Sequence, residues 1–448
     1  MLRASEADFD VARIRAQEFS RLEATHCAYL DYAGAALYPE SLVRRDAARL
    51  TTTVLGNPHS ESGPSLASSQ ALATARELTL RLLDADAGDY EVVFTANASG
   101  ATRVIAEAFP FAEGSHLVLT ADNHNSVNGL RVAACRQGAA VEYVGLDGAL
   151  RGADPRPHLR GATAPSLFAF PAQSNFSGVR HPLEWVREAQ QRGYLVLIDA
   201  AAYVPTALLS LSKVPADFVA LSYYKMFGYP TGIGALVARR SALALLRRGY
   251  FGGGTVQYVS VQTGLTRLKR GAEAFEDGTP SFLAVPAVCD GLRWLADIGP
   301  SRVAQHTTHL TRCLLDGLRA LDERVVVYGP ADAANRGGTV TFNLRHGREV
   351  LAYELVEAAA REKGIAIRGG CFCNPGAAEH AFQIPAEAAR ACLSGEFSVS
   401  RFRACLGNRP IGAIRASVGI ATTESDVHRL LELVDELTRV ATASAARC

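Results

Sequence analysis

Between residues 90 and 240 the chain alternates short apolar runs with stretches whose apolar residues recur at helical spacing. The runs are Tyr90-Glu-Val-Val-Phe94, His116-Leu-Val-Leu119, Ala140-Val-Glu-Tyr-Val144, Leu167-Phe-Ala-Phe170, Tyr194-Leu-Val-Leu-Ile-Asp199, Phe218-Val-Ala-Leu-Ser222 and Gly234-Ala-Leu-Val-Ala238. Apolar runs of this length between turn formers predict strands buried on both faces. The intervening segments 100–108, 126–137 and 183–191 predict helices. Strands alternating with helices give a crossover-linked, mostly parallel sheet of the α/β class. The run after Lys225 follows so closely that it is read as antiparallel.

Outside this block the pattern changes. Residues 1 to 30 read as a helical arm, 29–36 as an extended segment with a tight turn, 56–63 as a loop, and 64–83 as a helix. Beyond a helix at 287–297, the spacing predicts helices over 303–320, 349–363 and 424–441, with strands at 339–344 and 415–419 and a frayed tail after Thr438. The expected division is residues 1–64 as an arm packing with the small domain, 65–290 as the large domain, and 291–448 as a smaller α+β domain.

At 448 residues the chain is too long for one ordinary core. A hydrophobic fraction of 48% with 20% charged residues fits a globular protein. A net charge of +1 argues against nucleic acid as a partner. No apolar run reaches spanning length, so no membrane partner is expected. The Met1-Leu-Arg-Ala-Ser start lacks a signal-peptide core, so a cytoplasmic location is the default expectation. Nine widely spread cysteines do not resemble a disulfide framework, and most are expected to be buried small hydrophobes. Cys371 and Cys373 form a C-x-C that no second pair at finger spacing completes, so no metal site is expected.

Candidate chemistry gathers at strand ends, where open α/β sheets bind ligands. One run ends on Asp199, and the next ends on Ser222 and then Lys225. A carboxylate facing a ring nitrogen and an amine facing an aldehyde are what pyridoxal 5'-phosphate (PLP) requires. Lys225 is the expected attachment point and proton shuttle, and Asp199 the partner of the pyridine nitrogen. Phe94-Thr-Ala-Asn-Ala98-Ser99-Gly100 runs from a strand into a helix N-terminus that favours phosphate, with Ala98 and Ser99 as donors. His124 follows another strand end and is placed to stack on the ring. Asn175 is a candidate donor to the cofactor phenolic oxygen or the substrate carboxylate. Arg368 offers a planar fork for an α-carboxylate, and Gly369 and Gly370 let the next turn cover the site. Cys373 is the candidate sulfur nucleophile, with Cys371 as its rival.

Taken together, Gly56-Asn-Pro-His59, Pro171-Ala-Gln-Ser-Asn-Phe-Ser-Gly178, Ser222-Tyr-Tyr-Lys-Met-Phe-Gly228, Tyr250-Phe-Gly-Gly-Gly-Thr255 and Arg368-Gly-Gly-Cys-Phe-Cys-Asn-Pro-Gly-Ala377 resemble the class V aminotransferase superfamily of fold-type I PLP enzymes. The likeness is strongest to the cysteine-desulfurase-like N-terminal domain of molybdenum cofactor sulfurases. It implies a seven-stranded, mostly parallel sheet in the large domain and a homodimer. Lys225, Asp199, His124, Asn175 and Arg368 take the roles above. Ala98, Ser99, Ser222 and Tyr224 cradle the phosphate, and Thr279 reaches the phosphate of the partner subunit. The arginine-to-cysteine spacing falls on Cys373. Ala202 stands where many relatives carry a polar side chain, and Ala378 where these sulfurases have a further cysteine. The implied reaction on a small amino-acid substrate converts L-cysteine to L-alanine through a cysteine persulfide, with a protein or small-molecule sulfur acceptor. The alternatives are β-elimination to pyruvate, ammonia and a thiol, or selenocysteine lysis.

Overall fold

The computed structural model describes residues 9–445 apart from 348, 395, 397 and 408. The first residues of the expected helical arm, the end of the expected frayed tail, and Cys448 lie outside the described residues. Strand β1 (Ala28–Tyr29) precedes β2 (Tyr90–Thr95), β3 (His116–Thr120), β4 (Ala140–Val144), β5 (Ser166–Pro171), β6 (Tyr194–Asp199), β7 (Phe218–Ser222) and β8 (Gly234–Arg239). Strands β2 to β8 form one seven-stranded sheet in the order β2-β8-β7-β6-β5-β3-β4. Every pair from β7 to β4 is parallel, whereas β8 runs antiparallel to both β2 and β7.

Residue alternation explains why these runs fold as strands. Val196, Ile198, Val219 and Leu221 enter one buried cluster, while Leu197, Phe218 and Ala220 enter the cluster on the other face. Side chains point to opposite faces at each step, so a strand covered on both sides must be apolar throughout. Helices Gly63–Leu82 and Val285–Ile298 cover one face, and helix Ala98–Ala108 the other.

A hairpin of β9 (Val256–Val259) and β10 (Thr266–Leu268) leads to the C-terminal layer. There β11 (Val325–Tyr328), β12 (Thr339–His346), β13 (Glu349–Val350), β15 (Arg368–Gly370) and β16 (Ala413–Ser417) form a five-stranded antiparallel sheet. It packs on helices Pro300–Arg319, Tyr353–Glu362 and Glu424–Ala445 through a separate apolar cluster. The N-terminal segment joins this layer: β1 pairs in parallel with β14 (Ile365–Ala366), Asp31 bridges to Ser417, and Arg15 pairs with Asp426 at 2.7 Å.

Three expectations change. The helix predicted over 349–363 starts only at Tyr353, because a turn with Gly347 at φ +57° folds Glu349–Val350 back onto β12. The helix predicted over 126–137 is two pieces, Asn125–Asn128 and Leu130–Arg136, interrupted at Gly129, the poorest helix former after proline. Among the described cysteines, Cys392 and Cys405 form a disulfide between two short helices, and only Cys289 is buried as a free thiol. Cys135, Cys371 and Cys373 are exposed, because their segments pack only one side against the core.

Candidate active site

The carboxyl ends of β5, β6 and β7 and the start of helix Ala98–Ala108 surround a cavity. Asp199, Lys225, His124, Asn175, Ser99 and Tyr224 all line it, as the sequence predicts. Strand β7 ends on the buried Ser222, and the chain turns at once into a single helical turn, Tyr224–Phe227. The turn carries Lys225 back over the sheet end.

Burial pushes the Lys225 amine below its ordinary lysine value, and Asp199 opposes that shift. Among the described residues no hydrogen bond or ion pair engages this amine. A buried, uncommitted amine is the form that condenses with an aldehyde. Asp199 accepts the Ala201 amide through Oδ1 at 3.0 Å, which fixes the carboxylate and leaves Oδ2 to the cavity. The Nδ1 of His124 accepts the Ser126 amide at 3.1 Å, so its proton sits on Nε2. Burial holds this imidazole below its usual range, hence neutral.

The phosphate end differs in detail from the sequence reading. The Ala98 amide donates to Ser222 Oγ at 2.8 Å, and the Gly100 amide to Asn97 Oδ1 at 3.0 Å. Both are therefore committed, which leaves the Ser99 amide at this helix N-terminus. Ser222 accepts from Ala98 and keeps its own proton for an anion. Ser99 and Ser126 bond to each other through their hydroxyls at the cavity edge. Gly234 of β8 makes this corner possible, since a Cβ there would lie 2.5 Å from Asn97 Cα. Thr279 does not reach the Lys225 cavity. It accepts a bond from Asn57 at 3.3 Å and lines a second cavity with Thr95 and Gly100.

A cluster of charged residues comes from the other layer. Arg368 and Arg415 stand opposite each other across β15 and β16, and both bind Asp31. The Arg368 fork is thus already filled by a carboxylate of this chain, at 2.7 and 2.9 Å, and half of its side chain faces solvent. The expectation of an open Arg368 fork is corrected accordingly: Asp31, delivered by β1, is the nearer acid. Arg415, which the sequence reading passed over, is the buried member. Its Nη1 donates to the Asn175 carbonyl at 3.1 Å, its guanidinium lies 4.7 Å from the Phe372 ring, and its Nε has no partner. Burial lowers its pKa. Arg415 does not line the Lys225 cavity, so it acts on that amine through its charge and through Asp31 rather than by contact with a ligand. The available signal was an arginine inside the apolar run Ala413-Ile-Arg-Ala416, since buried arginine is rare unless paired.

Between these layers lies the 371–374 turn. Phe372 and Cys373 both adopt left-handed backbone, at φ +56° and +54°, which costs roughly 1–2 kcal/mol per residue. The turn persists because it is pinned from several sides. Asn175 donates to the Phe372 carbonyl at 2.7 Å, and the Asn125 amide to the Cys373 carbonyl at 2.7 Å. Fully buried Asn374 donates to Asp122 O at 2.6 Å and Asn175 Oδ1 at 2.9 Å. The Asn175 amide expected to face the cofactor is therefore engaged with this turn. The turn also separates the two thiols. Charge on Cys373 acts on Lys225, Arg368 and Arg415, whereas charge on Cys371 acts on Tyr353.

These residues fit PLP. An uncommitted amine, a fixed carboxylate, a neutral imidazole and anion donors at a helix start share one cavity.

A family model described as Aminotransferase class-V matches residues 28–430. The molybdenum cofactor sulfurase of Arabidopsis thaliana is 35% identical over 474 residues, covering 95% of this chain and 58% of that protein. The human molybdenum cofactor sulfurase is 34% identical and covers 94% of this chain and 50% of that protein. The chain thus spans about half the length of these relatives. Among solved structures, apo cysteine desulfurase from Thermococcus onnurineus NA1 superposes with a TM-score of 0.81 at 24% identity, covering 98% of this chain and all of that one. A cystine C-S lyase solved with its product cysteine persulfide superposes at 0.73 with 18% identity, covering 93% and 99%. These two likenesses are of fold.

Proposed function

The chain belongs to the class-V aminotransferase family, within the fold-type I PLP superfamily, and from that premise we propose that it is a PLP-dependent cysteine desulfurase. The observation that carries the reading is the buried, uncommitted Lys225 amine in one cavity with Asp199, with Cys373 close enough for its charge to act on that amine. PLP, when bound, supplies an aldehyde for the amine and a ring that withdraws electrons from the substrate α-carbon.

The chain's own residues do the rest. Asp199 Oδ2 keeps a proton on the ring nitrogen. Neutral His124 offers a flat face and an Nε2 proton. The Ser99 amide and the Ser222 and Tyr224 hydroxyls hold the phosphate. The remaining Arg368 Nη1 receives the substrate carboxylate, while buried Arg415 fixes Asp31 from behind. The Lys225 amine would be the base that takes the substrate α-proton and returns it. The Cys373 thiolate attacks the substrate sulfur. The new S–S bond forms as the C–S bond breaks, its electron pair stays on the β-carbon, and that carbon takes up a proton to give alanine. Because the turn is pinned, the substrate sulfur comes to Cys373 rather than the cysteine swinging to it. In this reading residues 65–290 hold the cofactor, while residues 291–448, with 1–64 against them, present the substrate side.

The persulfide then passes to a protein or small-molecule acceptor. Thr279 lies outside its own chain's cavity, which supports a homodimer in which it serves the partner's phosphate. Light scattering of an active, PLP-loaded monomer would remove that part of the proposal. The fold shared with a cystine C-S lyase keeps β-elimination as the second reading, because it needs the same residues except Cys373. The deciding experiment incubates PLP-loaded protein with L-cysteine and measures alanine and pyruvate for wild type and Cys373→Ala. Desulfuration predicts alanine from the wild type, lost in the variant, with a persulfide on Cys373. Pyruvate undiminished by the substitution would establish the lyase instead.

A further inference from the structure

Far along the chain from Lys225, two packed helices bring three metal-type donors to one point of the surface. His309 and Cys313 lie one turn apart on Pro300–Arg319, and Glu424 begins Glu424–Ala445. His309 Nε2 is 2.7 Å from Glu424 Oε1 and 3.7 Å from Cys313 Sγ, and all three donor atoms lie within 4.8 Å of one another. A tetrahedral ion with bonds of about 2.0–2.3 Å to nitrogen, oxygen and sulfur holds its ligands about 3.3–3.8 Å apart. The Cys313–His309 edge already has that length. The His309–Glu424 edge has only to open slightly, and both side chains are half exposed and free to turn.

The backbones beneath are fixed. The helices approach so closely that a Cβ on Gly317 would sit 2.2 Å from Leu431 Cδ1. The start of the second helix is tied down by Arg15 on Asp426 and by His306 Nε2 on the Thr422 carbonyl at 2.9 Å. That bond turns His306 away from the cluster. An ion pair accounts for His309 and Glu424, but not for a thiol at the same spot.

We propose that His309, Cys313 and Glu424 bind one zinc-class divalent cation, with solvent in the fourth place, and that the ion ties the two helices together. The donor set makes the choice of metal. A thiolate, an imidazole and a carboxylate suit zinc, whereas magnesium and calcium take oxygen ligands. Binding removes the thiol proton, which goes to solvent.

The test titrates cobalt(II), as a spectroscopic stand-in for zinc, into PLP-loaded full-length protein first freed of metal by a chelator. One equivalent should bind with the visible absorption of a tetrahedral ion and a sulfur-to-metal charge-transfer band. Cys313→Ser should abolish that band, and His309→Ala or Glu424→Gln should weaken binding at least tenfold. A Cys371→Ser/Cys373→Ser variant should keep the band. Cobalt uptake unchanged in His309→Ala/Cys313→Ser/Glu424→Gln, or no stoichiometric uptake by the wild type, would overturn the proposal. His309 and Glu424 are exposed and Cys313 is partly buried against the apolar cluster, so circular dichroism verifies that the triple variant folds. As a second readout, added zinc should raise the thermal midpoint of the wild type and not that of the triple variant.

Discussion

Asp199 and Lys225 are carried by neighbouring parallel strands in the middle of a seven-stranded sheet, sealed by apolar clusters on both faces. Cys373 is carried by a turn between a three-residue edge strand and a seven-residue helix, and two of its residues are in left-handed backbone. The first region is held by burial, which is non-directional and strong. The second is held by a few hydrogen bonds from side chains distant in sequence. A cofactor that stays in place calls for the first kind of support. On the proposed reaction, a thiol that meets substrate, accepts sulfur and gives it up calls for the second, with the reacting group at the surface.

Substitutions can separate the two kinds of support. The largest effect belongs to the sealed wall. Lys225→Ala should lower turnover of L-cysteine by on the order of 10²–10⁴-fold and abolish the PLP mass that borohydride fixes on the wild-type chain. Fixation on another lysine at an undiminished rate would reject the assignment. Next come the two arginines on Asp31. Arg415→Ala leaves a nearly buried carboxylate with one exposed partner and should cost about 3–5 kcal/mol of unfolding free energy. Half-exposed Arg368→Ala should cost at most about 1 kcal/mol. Equal losses in urea titrations would show that burial does not separate them.

Asn374→Ala removes the clamp on the 371–374 turn and should cost about 1–3 kcal/mol. More tellingly, it should slow persulfide formation while the visible spectrum of bound PLP stays as in the wild type. A lost spectrum would mean that the two regions are not independent. The smallest effect is a pH dependence. Burial lowers the His124 pKa in the folded state, so below 6.5 the unfolded chain binds a proton that the folded chain does not. Stability therefore falls as pH drops from 6.5 towards the folded value, by at most about 1.4 kcal/mol per unit. His124→Gln should flatten this limb in unfolding curves measured from pH 7 to 5.

The same contrast explains what could be read from the chain. Asp199 and Lys225 end apolar runs, so their placement follows from local pattern and a general rule about strand ends. All seven strands of the large sheet lie where that pattern puts them. Asp31, Arg415 and Asn374 carry no such local mark. Asp31 meets Arg415 across 384 positions, and Asn374 meets Asn175 across 199. Arg368 was visible as a fork beside a cysteine, but its partner was not, so its occupancy by Asp31 could not be foreseen. The committed amides of Ala98 and Asn175 were hidden for the same reason, since each depends on a partner from another element.

Asp31 lies near the start of the chain and the arginine it holds lies near the end, which sets a schedule for synthesis. A ribosome that has released residue 239 has delivered every strand of the large sheet, with Asp199 and Lys225 on it. At roughly 5–20 residues per second, the stretch up to Arg415 takes on the order of 9–35 s more. For most of that interval Asp31 waits without either arginine, and after Arg368 is made it still lacks Arg415, its buried partner, so on the proposed reading the nascent protein has the amine for a cofactor before it has the wall that meets an amino acid.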